Sequence, residues 1–292
     1  MAKKELPVYN IENFQQEHHE DSFYANTLQE HLEKHHFIHV PHKHDFYLSI
    51  LFTRGSGTHD VDFTTYPVKP GYVFLLSPGQ THDWKLSKDV EGYIFFHTKA
   101  FYDEAYTRVT IRQFPFFQSI YASPLIVLKG QSLSTITQLF RDILAEQHAQ
   151  KPLKQQKLLA LTNYVYVELS RCSLPAPAAG HQQVHYLARV RELEGLVDLH
   201  YKSLKLPRDY AALMNMTEKH LNRICKATLN KTTGQLIVDR IILEARRLLV
   251  QTQLPVNRVA ELLGYVDNSY FSRLFKKQSG ETPLAFLAKY RR

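Results

Sequence analysis

Residues 256–290 read VNRVAELLGYVDNSYFSRLFKKQSGETPLAFLAKY, three short amphipathic stretches divided by two glycines. Val259, Ala260, Leu262 and Leu263 give the first stretch, 256–263, an apolar face, and Gly264 ends it where a left-handed residue is wanted. Asp267 or Asn268 is placed to cap a second helix reaching Gln278, which Gly280 closes. Thr282 and Pro283 open a third helix as N-cap and first helical residue. Two helices joined by a tight glycine turn form a helix-turn-helix candidate. On the second helix Phe271, Leu274 and Phe275 point one way, while Ser269, Ser272, Arg273 and Lys276 point the other within an arc of roughly 100°. One face is therefore anchored and the other carries small donors and cations, as entry into a major groove requires. A solvated surface helix whose cations only confer solubility has the same pattern, so one copy does not decide.

The unit occurs twice. Residues 210–236 read YAALMNMTEKHLNRICKATLNKTTGQL, and a shift of 49 residues lays Ala211–Leu213 on Ala260–Leu262. With one extra residue in the second turn, Leu221, Arg223, Ile224 and Lys226 fall on Phe271, Arg273, Leu274 and Lys276. Lys219, Asn222, Arg223 and Lys226 face outward, Leu221, Ile224 and Cys225 inward. Asn215 stands for Gly264 and Asn230 for Gly280, and asparagine is the other residue that tolerates the left-handed conformation. A duplicated outer face with duplicated turn chemistry is not explained by solubility.

The two copies, joined by the helical run 237–249, resemble the DNA-binding domain of the arabinose-regulator (AraC/XylS) family. The likeness covers about the last hundred residues and is closest in Gly264-Tyr265, Ser269-Tyr270-Phe271-Ser272-Arg273, Phe275-Lys276-Lys277 and Gly280-Glu281-Thr282-Pro283. The first copy, with Met216-Thr217-Glu218 and two asparagines, matches more loosely. The resemblance implies two recognition helices entering successive major grooves of double-stranded DNA, spaced by the long helix between them. Arg223, Lys226, Arg273, Lys276 and Lys277 are then the expected DNA contacts, with Lys219, Asn222, Ser269 and Ser272 as further donors.

Charge agrees. The 292 residues hold 36 Lys and Arg against 28 Asp and Glu; residues 185–292 hold 19 and 10 of these, leaving 17 and 18 elsewhere. The basic excess sits wholly in the duplicated segment, as a polyanion-binding half requires. An acidic membrane surface would also attract it, but no apolar run of transmembrane length or amphipathic anchor accompanies it. The N-terminus lacks the apolar core of a signal peptide, and Cys172 and Cys225 make no disulfide framework, so a cytoplasmic protein is expected. Chain length and 44% hydrophobic content suit two ordinary domains: 1–172, a linker at 173–184 around the Pro- and Ala-rich run 174–180, and 185–292.

The N-terminal half reads as strands. Residues 1–36 are expected to hold short strands and loops. From 37 to 97, β-branched and aromatic runs are broken by Gly55, Gly57, Pro67, Pro70-Gly71 and Pro78-Gly79, the pattern of an all-β antiparallel sandwich or jelly-roll barrel. In the run 42–52, His42, His44, Phe46, Leu48, Ile50 and Phe52 share one face by period two, so the two histidines point into the barrel. His42-Lys43-His44 and the segment from Gly71 through Gly79-Gln80-Thr81-His82 resemble the two motifs of the cupin superfamily, the effector barrel found at the front of such regulators. His42, His44 and His82 match three of the metal-binding positions of metal-binding cupins. The glutamate expected after the second histidine is replaced by the Tyr47-Leu48-Ser49 region. Three imidazoles suffice for zinc or iron; the missing fourth ligand favours pocket residues that hydrogen-bond a small-molecule effector, a sugar among the classes considered. Trp84 and Tyr72 are placed to line the same pocket, or to belong to the core.

Residues 132–149 and 153–171 are expected to form a helical hairpin with apolar stripes at Ile136, Leu139, Phe140, Ile143 and Leu144, and at Leu158, Leu161, Val165 and Leu169. The resemblance implies that this hairpin makes a homodimer, although packing on its own barrel explains the stripes equally. A helix over 186–201 opens the C-terminal domain. The leading function is a ligand-responsive transcription regulator without a cofactor; the alternative is a metal-dependent cupin enzyme fused to a DNA-binding domain. No phosphate-binding glycine loop or nucleophile setting supports any other catalysis.

Overall fold

The computed structural model describes residues 7–14, 22–103, 106, 110–118, 122–173, 181–252 and 254–290. They fall into two compact units, one within Pro7–Leu174 and the other within Pro175–Arg292. Of the expected linker, residues 174–180 lie outside the described residues, and 181–184 already belong to a helix.

The first unit contains strands β1 (Val8–Tyr9) and β2 (Phe23–Thr27), helix α1 (Leu28–Lys34), then β3 (His42–His44), β4 (Tyr47–Arg54), β5 (Gly57–Val61), β6 (Thr64–Val68), β7 (Tyr72–Leu76), β8 (Thr81–Leu86) and β9 (Glu91–His97). Short helices α2 (Lys99–Asp103) and α3 (Pro115–Gln118) lead to β10 (Leu125–Val127) and the hairpin α4 (Gly130–His148) and α5 (Lys154–Ser173). Two five-stranded sheets result, ordered β1-β3-β8-β5-β6 and β10-β7-β4-β9-β2. The run 42–52 is not one strand: β3 belongs to the first sheet and β4 to the second. Side-chain parity nevertheless survives the crossing. Phe46, Leu48, Ile50 and Phe52 are buried in the same cluster as Val61, Phe74, Trp84 and Phe96.

The other face of β4 is also covered. Tyr47 and Leu51 join Phe23, Val73 and Phe95 in a second core completed by Ile136, Phe140, Ile143, Leu158, Val165 and Leu169 of the helical hairpin. Burial of both faces explains why β4 is almost continuously apolar. The apolar stripes of the hairpin are thus core within one chain. A polar latch reinforces the contact: His97 Nδ1 donates to Thr98 O at 2.8 Å, so its Nε2 accepts from the Tyr166 hydroxyl at 2.9 Å, and Ser49 Oγ lies 3.3 Å from the same hydroxyl.

Among the described residues of the first forty, an α-helix and two short 3-10 turns, Ile11–Phe14 and His36–His39, depart from the expected strands and loops. Thr27 accepts from the Glu30 amide at 3.3 Å and starts α1, whose His31 is buried.

The second unit is all helical: α6 (His181–His200), α7 (Pro207–Leu213), α8 (Glu218–Leu229), α9 (Thr233–Gln251), α10 (Val256–Leu262), α11 (Asn268–Ser279) and α12 (Pro283–Tyr290). Helix α6 starts five residues before the expected Tyr186. The long α9 buries Ile237, Ile241, Ala245 and Leu249. Arg240 fixes it to α6, donating to Asp198 at 2.7 Å and lying 4.2 Å from the Tyr201 ring.

Candidate functional site

The turn bonds of the helical unit recur in both copies. Each first helix ends with paired turn bonds: Asn215 N to Ala212 O and Met216 N to Ala211 O in one copy, Gly264 N to Glu261 O and Tyr265 N to Ala260 O in the other. Asn215 and Asn230 have φ of 52°, and Gly264 and Gly280 have φ of 80°. Helix α8 is capped by Thr217, which accepts from His220 N, and α11 by Asp267, which accepts from Ser269 and Tyr270 N. The following helices start alike, with Thr232 accepting from Gln235 N and Thr282 from Ala285 N.

This framework sets the two faces. Leu221, Ile224 and Cys225 are buried in α8, as are Phe271 and Phe275 in α11, while Leu274 is half-buried. Lys219, Arg223 and Lys226 are exposed in the first copy, and Ser269, Arg273, Lys276 and Lys277 in the second. Ser272 is half-buried at the edge of that face. Asn222 is half-buried too, and its Oδ1 accepts from the Thr233 backbone amide at 3.0 Å. Arg223 lies 2.7 Å from His220 Nδ1.

In the β unit, strand pairing assembles a histidine cluster. His42 on β3 is the register partner of His82 on β8, and His59 on β5 is the partner of Trp84. The rings of His42, His44 and His59 lie 4.3, 5.0 and 5.2 Å from that of His82, with Trp84 at 5.3 Å. All four histidines are buried. His42 and His44 donate from Nδ1 to Val40 O and Phe46 O, each at 2.9 Å, and His59 Nε2 lies 3.0 Å from His82 Nδ1. His44 Nε2, His59 Nδ1, His82 Nε2 and Trp84 Nε1 are left buried without a hydrogen-bond partner. Each is a polar atom that burial penalises unless something bonds it.

Burial also keeps the rings neutral. Desolvation pushes His42 down to about 4 and His44 and His59 to about 3, and holds His82 well below the ordinary histidine value, with neighbouring histidines adding to the effect at His44, His59 and His82. Among the described residues no group of three His, Cys, Asp or Glu side chains is placed to hold an ion.

A family model matches within each of the two units. Residues 210–289 match the helix-turn-helix domain model, and residues 27–161 match the AraC-like ligand binding domain. The chain belongs to the AraC family of transcriptional regulators. Its relatives include the arabinose operon regulatory protein of Salmonella typhimurium, 23% identical over 258 residues that cover 83% of each chain. The transcriptional activator RhaR of Enterobacter sp. is 23% identical, covering 87% of this chain and 89% of that one. Among solved structures, ToxT from Vibrio cholerae aligns over 91% of this chain and 98% of its own, at 11% identity and a TM-score of 0.44. AraC-family regulators bind DNA through the helix-turn-helix domain and an effector through the ligand-binding domain, and are not enzymes.

Within this AraC-family chain, the strands bring His42, His44, His82 and Trp84 together. Tyr72 only packs at the edge of the same core. His59 belongs to the cluster and was not among the expected residues. Its signal was the alternation of GTHDV, in which buried His59 and Val61 alternate with less buried Thr58 and Asp60. His31 is buried on α1, its Nδ1 lying 3.1 Å from the Tyr24 hydroxyl.

Proposed function

We propose that the two recognition helices of this regulator read successive major grooves and that a neutral, hydroxyl-bearing small molecule held in the barrel alters how a homodimer presents them. Lys219, Arg223 and Lys226 of α8, with Ser269, Ser272, Arg273, Lys276 and Lys277 of α11, make the DNA contacts. The observation that carries the reading is the repeated pair of exposed cations three residues apart, Arg223 with Lys226 and Arg273 with Lys276, on helices that are each capped by a side-chain oxygen and closed by a left-handed residue.

The effector class follows from the barrel cluster. Neutral imidazoles offer no cation to a carboxylate. Because His44 Nδ1–H is spent on a carbonyl, its Nε2 is an acceptor, whereas Trp84 Nε1–H is a donor. The His59–His82 pair leaves one free donor and one free acceptor whichever ring carries the shared proton. Mixed donors and acceptors among aromatic rings suit hydroxyl groups, and a sugar or polyol is the class that satisfies them. Dimerisation uses the solvent face of the hairpin, where Leu153 and Tyr164 are 71% and 48% exposed. The protein works in the cytoplasm, in keeping with free thiols at Cys172 and Cys225.

The test is selection of retained sequences from a random duplex pool by the full-length protein at physiological salt. Two conserved blocks about one helical turn apart support the reading; retention without a consensus overturns it. A thermal-shift panel of neutral sugars and polyols beside carboxylates tests the effector, and stabilisation by the carboxylates alone refutes the neutral class.

A further inference from the structure

The two copies place their caps and turns alike, and at one linked pair of positions they differ in a bond between helices. A shift of 50 residues lays Thr217 on Asp267, Leu221 on Phe271, Thr232 on Thr282 and Leu236 on Phe286, and it lays Asn222 on Ser272 and Thr233 on Pro283. Thr233 is the first residue of α9, so its amide is one of the donors that a helix N-terminus leaves without an intrahelical acceptor. The Thr233 side chain is fully buried, and its amide is satisfied by Asn222 Oδ1 at 3.0 Å. Pro283 holds the same place at the start of α12 and has no N–H to satisfy. Ser272, at the position of Asn222, has no such duty, and its hydroxyl carries no hydrogen bond of this kind among the described residues.

We infer that this position reads DNA in only one of the two copies: Ser272, released by Pro283, contacts the duplex, whereas Asn222, engaged by the Thr233 amide, locks the first copy's fold and reads no base. The inference rests on the DNA reading above and sharpens it, for the two half-sites are then read with unequal stringency at equivalent places. Asn222 is a positioning residue. Its oxygen ties α8 to the start of α9, and so fixes the angle at which the first recognition helix leaves its turn.

The test compares full-length parent, Asn222→Ala, Asn222→Asp, Asn222→Ala with Thr233→Pro, and Ser272→Ala in duplex selection and in thermal unfolding. Ser272→Ala should alter the base preference at one position of one block and weaken binding to the parent site about three- to tenfold. Asn222→Ala should lower the unfolding midpoint by roughly 5 °C yet return the parent consensus. Thr232 has φ −78° and ψ 157°, a conformation that a following proline accepts, so Thr233→Pro should recover part of that midpoint by removing the orphaned donor. Asn222→Asp keeps the acceptor oxygen and loses the amide donors; it should retain the midpoint and the consensus, with weaker affinity for all sequences from its added charge. A changed consensus for Asn222→Asp, or an unchanged consensus and affinity for Ser272→Ala, overturns the inference. A parent protein without any consensus overturns the proposed function, and this inference with it.

Discussion

A Cβ at position 264 would stand 2.0 Å from the carbonyl oxygen of Lys202, and the backbone there has φ of +80°. The turn between α10 and α11 is therefore pressed against the chain that follows α6. Lys205 completes the contact by donating to Leu263 O and Tyr201 O, each at 2.5 Å. Gly280 has the same φ, but nothing lies within 4 Å of its added Cβ. Gly264→Ala should cost about 2–4 kcal/mol, from left-handed strain together with displaced backbone. Gly280→Asn should cost less than about 1 kcal/mol, because Asn230 already performs that task in the first copy. Urea unfolding of the two variants checks the contrast, and equal losses would contradict it.

Asp239 ties both copies to the helix between them. Its carboxylate accepts from Lys231 Nζ at 2.7 Å and from Gln278 Nε2, so one side chain on α9 meets the second residue after α8 and the last turn of α11. Asp239→Ala should cost about 1–2 kcal/mol, since Lys231 is partly exposed and its ion pair is screened. The loss on a duplex with both blocks should exceed that on a duplex with one. Equal losses in a titration of the two duplexes would mean that Asp239 does not set the spacing.

Arg273 and Lys277 separate base reading from phosphate binding. Both are exposed on α11, but Arg273 lies on the arc with Ser269 and Ser272. If it bonds a base pair through both arms of its fork, Arg273→Ala loses about 1–3 kcal/mol on the selected site and far less on unrelated duplex. Lys277→Ala should weaken both alike and reduce the salt slope by about one. Affinities on the two duplexes across a salt series give both numbers.

Local rules explain what the sequence made legible. Asp267, Thr282, Asn215, Asn230 and the two glycines act on residues within four positions of themselves, so caps and turns could be read from adjacent letters. Period two sufficed for His42 and His44 even though the chain changes sheets between them and Leu48. What escaped depends on distant partners. His59 meets His82 from a strand 23 residues away and belongs to no spaced motif. Asn222 sits outward on a helical wheel, and only the position of Thr233 on the next helix reveals its bond. Helix α1 is seven residues long, too short for periodicity, although Thr27 and Glu30 carried its cap signal.

Acid should unfold the barrel through its histidines. Burial holds His44 and His59 down to about 3 and His42 and His97 to about 4, against an ordinary value of 6.5. Between pH 6.5 and about 4 the unfolded chain therefore binds protons that the folded chain refuses. The slope of unfolding free energy with pH is positive in that window, and stability is lost as pH falls. Each such histidine contributes about 1.4 kcal/mol per pH unit below 6.5. The near-ultraviolet melting transition of the β unit should therefore fall steeply from pH 6.5 to 5 and stay nearly level from 7 to 8. Replacing His59 with Gln removes one of these groups and should flatten the acid limb by about one proton. A midpoint that stays constant from pH 7.5 to 5 would show that the cluster is already protonated or solvated in the folded protein. It would also remove the basis for a neutral effector, since charged imidazoles would then favour an anion.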